Sequence, residues 1–328
     1  MGQFTVYSSA DAGAPVLTGE VGKLIDVLNG CLVTGYGAKA APAPAWTHPV
    51  ATAGNIASYL QGAGCGFGFV LNDNAPNVTP AAREAWITGW ESIAGVGSPV
   101  GSGGGQFPTP AQLLVSGHAV VRKSATASNV PRSWRVFADS STMYLFIETG
   151  DTAGIMGSTV FGDVYSLNGV GDVWRCILIG KGTENTTPTG NENTFFNSVM
   201  SSAATSAQGR HMARTWSGAG ASIIVGCQGD PSKCSGTDGL VQAPNGPDNA
   251  YWLAPWMVYE QTGKPIRGRL RGCYSMLQPA AGFADGQVIT GAGDYAGKTF
   301  QLVKLVCGAP NANGAILIET SATVETNA

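Results

Sequence analysis

The chain is 328 residues long, and only 12% of it is Asp, Glu, Lys or Arg, about half the usual share, with a net charge of −3 and 47 glycines. A near-neutral balance leaves no electrostatic footprint for direct nucleic-acid binding. No apolar run approaches the roughly 20 residues of a bilayer-spanning helix, so no membrane partner is expected. The first residues, MGQFTVY, carry neither a basic nor an apolar leader segment, so synthesis in a cytoplasm is expected.

Residues 4–7 read as a first strand. Val21, Leu24, Ile25, Leu28 and Cys31 or Leu32 recur at helical spacing and predict an amphipathic helix, with Thr18 as N-cap and Gly35 and Gly37 as terminators. Pro42, Pro44 and Pro49 predict an extended connector pinned by Trp46 and His48. Glycines alternate with Cys65, Phe67 and Phe69, which gives a strand with one bare face. Thr79-Pro80 predicts a second helix with a stripe of Trp86, Trp90 and Ile93. Residues 95–105 read as a flexible Gly-Ser loop. Thr109 and Gln112 have capping-box spacing before a short third helix.

From Val120 the pattern turns to β. Residues 133–138 and 142–148 predict a hairpin across 139–141, with 143–147 apolar on both faces. A second pair, 159–167 and 173–179, turns at Asn168-Gly169, and residues 181–193 read as a polar surface excursion. Residues 195–200 suggest a brief helix. Further strands are expected at 222–227, 267–276, 299–307 and 315–320, the last two as a terminal hairpin. The order predicts an α+β, mostly β fold: an antiparallel β-sandwich or open barrel with a few short helices in the N-terminal third. The best internal boundary separates a mixed subregion, 1–106, from a β-rich body, 107–328, within what is treated as one body.

No catalytic signature emerges. The three histidines, His48, His118 and His211, lack zinc-ligand spacing, and no Gly-x-Ser-x-Gly elbow or P-loop is present. Asp139, Glu148, Asp163 and Asp172 sit near predicted turns, where turn chemistry accounts for them without the cleft-lining carboxylate pair a glycosidase needs. An oxygen-rich loop, 228–249, matches no EF-hand, so no cofactor is expected. The seven cysteines read as buried free thiols, with Cys227 and Cys234 as a possible disulfide across a turn-rich hexapeptide.

Two clusters are candidate interfaces. Arg267, Arg269 and Arg271 alternate along a predicted strand and share one face, where they repel unless acids or phosphates meet them; the face is either simply solvated or an inter-subunit ion-pair patch. Tyr251, Trp252, Trp256 and Tyr259 bracket Pro255, which disfavours a central strand. They could form core, an interface anchor or a stacking platform for a glycan.

Residues 7–37 (YSSADAGAPVLTGEVGKLIDVLNGCLVTGYG) resemble the start of a family of tailed-bacteriophage virion proteins of poorly defined role. So do the phrases VRKSATA (121–127), PRSWRVFAD (131–139), MYLFIETGD (143–151), FGDVYSL (161–167), RCILIG (175–180) and ILIET (316–320). The resemblance transfers no active-site residue. It implies a non-enzymatic structural protein of the virion, assembled in the host cytoplasm, whose partners are copies of itself and other virion proteins. A tail or baseplate position is expected, with capsid decoration and receptor or host-glycan binding as alternatives.

Overall fold

The computed structural model describes residues 3–75, 83–112, 116–150, 156–182, 209–220, 222–228, 253–263, 265–276, 283–304 and 315–321. The chain begins with β1 (Thr5–Ser8) and then α1 (Lys23–Leu28), which continues as a π-helical turn over Asn29–Thr34. A small antiparallel sheet follows: β2 (Ile56–Leu60), β3 (Gly68–Asn72), β4 (Glu84–Gly95) and β5 (Ser102–Phe107), with β6 (Ala119–Arg122) also paired to β4. The body contains β7 (Trp134–Ala138), β8 (Thr142–Glu148), β9 (Met156–Asp163), β10 (Tyr165–Ser166), β11 (Cys176–Ile179) and β12 (Arg210–Met212). It ends with β13 (Ile223–Gln228), β14 (Leu253–Glu260), β15 (Ile266–Met276), β16 (Val288–Thr290), β17 (Thr299–Lys304) and β18 (Ala315–Glu319).

These body strands and β1 form one antiparallel ladder, β1-β7-β8-β9-β11-β12-β13-β14-β15-β18-β17-β16, with β10 attached to β15. Its two ends are not paired to each other, so the ladder is open rather than a closed barrel. Mostly antiparallel β-structure with face-to-face layers is therefore what the chain forms. Pleating explains the layers. On β8, Met143, Leu145 and Ile147 pack with the small sheet and α1, among Tyr59, Phe69 and Ile87. The intervening Tyr144 and Phe146 face a second core with Trp256, Val258 and Ile316 from the far end of the same ladder. The large sheet thus curls back on itself, and 143–147 is apolar throughout because it lies between two cores.

The 106/107 division falls inside β5, and the largest core joins Ala57, Phe69 and Phe107 to Trp134 and Phe161. Both hairpins expected in the body are present: β7 with β8 in register from Ala138↔Met143, and β9 with β11. The terminal hairpin of β17 and β18 forms as well.

The helices differ from expectation. Thr18 does not cap α1: its hydroxyl is bonded to Glu20, and the N-cap is Gly22. The side chain that receives the Leu24 N–H is Asp73, at 2.7 Å, brought from the end of β3. The segment holding Trp86, Trp90 and Ile93 is the twelve-residue strand β4, not a helix. Positions 86 and 90 share a face in a strand as well as on a helix. On β4, Ala85 and Ile87 face the main core, while Trp86 and Trp90 face a separate one with Val70 and Val120. The Gly-Ser loop contains β5, paired along β4. Thr109 N–H donates to Gln112 Oε1 at 3.0 Å, so the box contact forms on a turn. Residues 79–80 and the segment 195–200 lie outside the described residues. No helix among the described residues is long and apolar enough to cross a membrane.

Candidate functional site

The alternation of Arg267, Arg269 and Arg271 is real, but what meets them is within the chain. Arg267 is 1% exposed. Its Nε and one terminal nitrogen hold both oxygens of Asp172 at 2.6 Å, and the other terminal nitrogen holds Glu260 Oε1 at 2.6 Å. Arg271, also 1% exposed, reaches Asp139 Oδ2 at 2.7 Å and the Thr142 hydroxyl at 3.0 Å. Arg267 and Arg271 are therefore internal ties, not the exposed inter-subunit patch that their alternation predicts. A guanidinium buried this deeply is tolerable only with its acids beside it, and they come from the β7–β8 turn, the loop before β11 and the end of β14. Arg269 is half-buried, its guanidinium 4.6 Å from the Tyr165 ring centroid.

The ties link into a single polar seam. The Thr142 hydroxyl donates to the Asp163 carbonyl, and the Asp163 carboxylate takes Arg175 Nε at 2.8 Å. Arg175 in turn donates to the Asp172 carbonyl at 2.9 Å. The line therefore runs Arg271–Asp139–Thr142–Asp163–Arg175–Asp172–Arg267–Glu260 and crosses from the first half of the large sheet to the second. Asp139, Asp163 and Asp172 each face a guanidinium rather than a second carboxylate of a hydrolytic pair.

At Asp163 the seam meets a tight turn of the small sheet. Gly64 (φ 91°) and Gly66 (φ 75°) flank Cys65, and a Cβ on Gly64 would lie 2.6 Å from Asp163 Oδ2. Glycine there lets the turn press against the carboxylate. Cys65 N–H donates to Asp163 Oδ2 at 3.2 Å, and its thiol lies 3.0 Å from Asp163 Oδ1 and 3.3 Å from Gln61 Oε1. Gln61 Nε2 donates to Asp163 Oδ1 at 2.9 Å. Cys176, buried on β11, brings its sulfur into the same group: Cys65 Sγ, Cys176 Sγ and an Asp163 oxygen all lie within 4.8 Å of one another. Burial pushes both thiols up from the ordinary range, and each lies beside the other and Asp163. Among the described residues Cys31, Cys65, Cys176 and Cys273 are free thiols, and only Cys65 is partly exposed. No motif announces the trio, because Cys65 and Asp163 stand 98 positions apart.

The aromatic cluster divides. Trp256 is fully buried in the second core, which removes it as a surface anchor or stacking platform, while Tyr259 is half-buried. Pro255 lies within β14, at a register break, and the pairs of β14 with β13 stop short of it at Met257. Its missing N–H is therefore tolerated. Tyr251, Trp252 and Cys234 lie outside the described residues, as do the Cys227 side chain and nearly all of the 228–249 loop. His48 Nδ1 donates to the Ser58 carbonyl, 2.6 Å away, and Trp46 donates to the Asp139 carbonyl at 2.7 Å, so both pin the connector.

Burial of charge extends beyond the seam. Among the described residues, eight basic and seven acidic side chains are buried, including the pairs Arg122–Glu84 at 2.9 Å and Lys123–Asp73. Near the Arg267 end of the seam, the surface instead shows Leu167, Val173, Trp216 and Ile266, each more than half exposed. Leu167 N–H donates to the Arg267 carbonyl and Trp216 N–H to Glu260, which fixes two of the four against that node. Compared with known proteins, the chain matches no family model and no curated protein sequence.

Proposed function

We propose that this chain is a non-enzymatic structural protein of a tailed-bacteriophage virion that self-associates on the particle, in the tail or baseplate region. The observation that carries the reading is the inward placement of charge. Charged side chains are almost never fully buried unless paired. Here a chain already poor in charge holds fifteen of them inside among the described residues, which leaves fewer charges at the outer surface than its low charged content alone would. Such a surface suits burial against copies of itself, because few charges must be desolvated on contact. The exposed Leu167, Val173, Trp216 and Ile266 supply apolar side chains for that contact. The virion assignment rests on the resemblance of residues 7–37 and the phrases that follow it.

Sedimentation velocity over a range of protein concentrations tests the association. We expect oligomers that weaken in Trp216→Asp, and a monomer at every concentration refutes self-association. Labelling the chain in purified virions tests its location: density at the tail end supports the reading, and density over the capsid lattice replaces it with capsid decoration. The glycan-binding alternative loses support with Trp256 in the core.

A further inference from the structure

The geometry points to Cys65, Cys176 and Asp163 as a binding site for one thiophilic divalent cation of the zinc class. Thiolate sulfur selects zinc-like ions over magnesium or calcium, and a structural site takes four donors at one centre. Three donors from three elements already converge within 4.8 Å. The Gln61 carbonyl oxygen, 3.3 Å from Cys65 Sγ, is a further oxygen donor beside the group. A tetrahedron built on ordinary zinc–sulfur and zinc–oxygen bonds has sulfur–oxygen edges of about 3.5 Å, so the two oxygens, now 3.0 and 3.3 Å from the Cys65 sulfur, need only move outward by about half an ångström or less to admit the ion.

Charge supports the same conclusion. As the site stands, Asp163 is balanced by Arg175, 2.8 Å away, and the two thiols are neutral. A divalent cation that displaces the two thiol protons to solvent leaves the sum unchanged: two thiolates offset the cation, and Arg175 still offsets Asp163. The buried site thus exchanges two protons for one metal without a net charge in a low-dielectric interior. Access is through Cys65, the one of the two thiols that is partly exposed.

The test is titration of the full chain, thiols reduced, with Cd2+, followed by thiolate-to-cadmium charge-transfer absorption, and with Zn2+ against a chromophoric chelator. Wild type is expected to bind one equivalent more than Cys65→Ala, and Cys31→Ala is expected to match wild type. Cys65 lies on a turn rather than in the core, and circular dichroism of Cys65→Ala checks that the fold survives. Equal stoichiometry in wild type and Cys65→Ala overturns the site. A Cys65–Cys176 disulfide in protein isolated from a reducing cytoplasm also overturns it. Neither result bears on self-association, which is read separately by sedimentation.

Discussion

Replacing Arg267 by Met separates an internal tie from an intersubunit contact. The substitution keeps most of the side-chain volume and removes the charge. It leaves the Asp172 carboxylate, 0% exposed, and the Glu260 carboxylate, 7% exposed, facing an apolar group. Asp172 keeps the Ser166 hydroxyl at 2.7 Å and the Trp174 N–H at 3.2 Å, and Glu260 keeps the Trp216 N–H at 2.8 Å. Those donors soften the loss but supply no countercharge. Breaking a buried pair from one side costs about 3–5 kcal/mol, and the remaining donors place this case near 4. At roughly 2 °C per kcal/mol for a chain of this size, the melting temperature falls by about 8 °C. Differential scanning calorimetry and urea unfolding measure it. The triple replacement Arg267→Met, Asp172→Leu, Glu260→Leu should recover most of the loss, because no charge is then left buried. Arg269→Met, which loses a half-buried contact with the Tyr165 ring, should cost under about 1 kcal/mol. An Arg267→Met protein with wild-type melting and lost self-association would refute the internal assignment.

Burial holds His118 and His211 down at about 4, so between there and their ordinary 6.5 the unfolded chain binds more protons. Their contribution is complete above that ordinary value and is lost as pH falls towards 4. Asp73, raised by burial to about 6, opposes them below that pH. Two histidines against one carboxylate leave a net fall of about 1.4 kcal/mol per pH unit on acidification from 6 to 4, and an unchanged urea midpoint across that range would refute neutral burial. Asp73→Asn removes the partner of buried Lys123 and weakens the bond to the Leu24 N–H. It should cost about 3–5 kcal/mol and speed hydrogen exchange in α1, and an unaltered exchange rate there would break the link between cap and pair. Gly162→Ala places a Cβ 2.3 Å from the Ser141 carbonyl oxygen at φ 139°, so it should destabilise by more than about 1 kcal/mol; Gly97→Ala, with nothing within 4 Å, should be near neutral in the same thermal scan.

The body was legible because its signals are local. A period-2 run, a turn at 139–141 and a second run determine β7 and β8 with little outside help. The first third was less so. Trp86 and Trp90 are four apart, a spacing that is one face of a helix and one face of a strand alike, and pairing with β3 and β5 on either side decides for the strand. The 102–107 segment carries three glycines and no apolar residue before Phe107, so its strand is imposed by β4. Thr18 offered a cap, but a carboxylate 49 positions from Leu24 took the role. The arginine face was visible and its partners were not: Asp172 lies 95 positions from Arg267, and Asp139 lies 132 from Arg271. Such pairings depend on topology, and so does the meeting of Cys65 with Cys176.

The inward charge has a kinetic side. Oppositely charged proteins find one another through long-range attraction, which raises association rates towards about 10⁸–10⁹ per molar per second; surfaces without it meet at about 10⁵–10⁶. Copies of this chain would meet at the slower pace in dilute solution, and a change of ionic strength would leave that pace nearly unaltered, since there is little field to screen. Growth would then favour sites where several copies already hold a place open and a newcomer touches more than one of them. Order of addition would come from geometry already built, with little from steering at a distance.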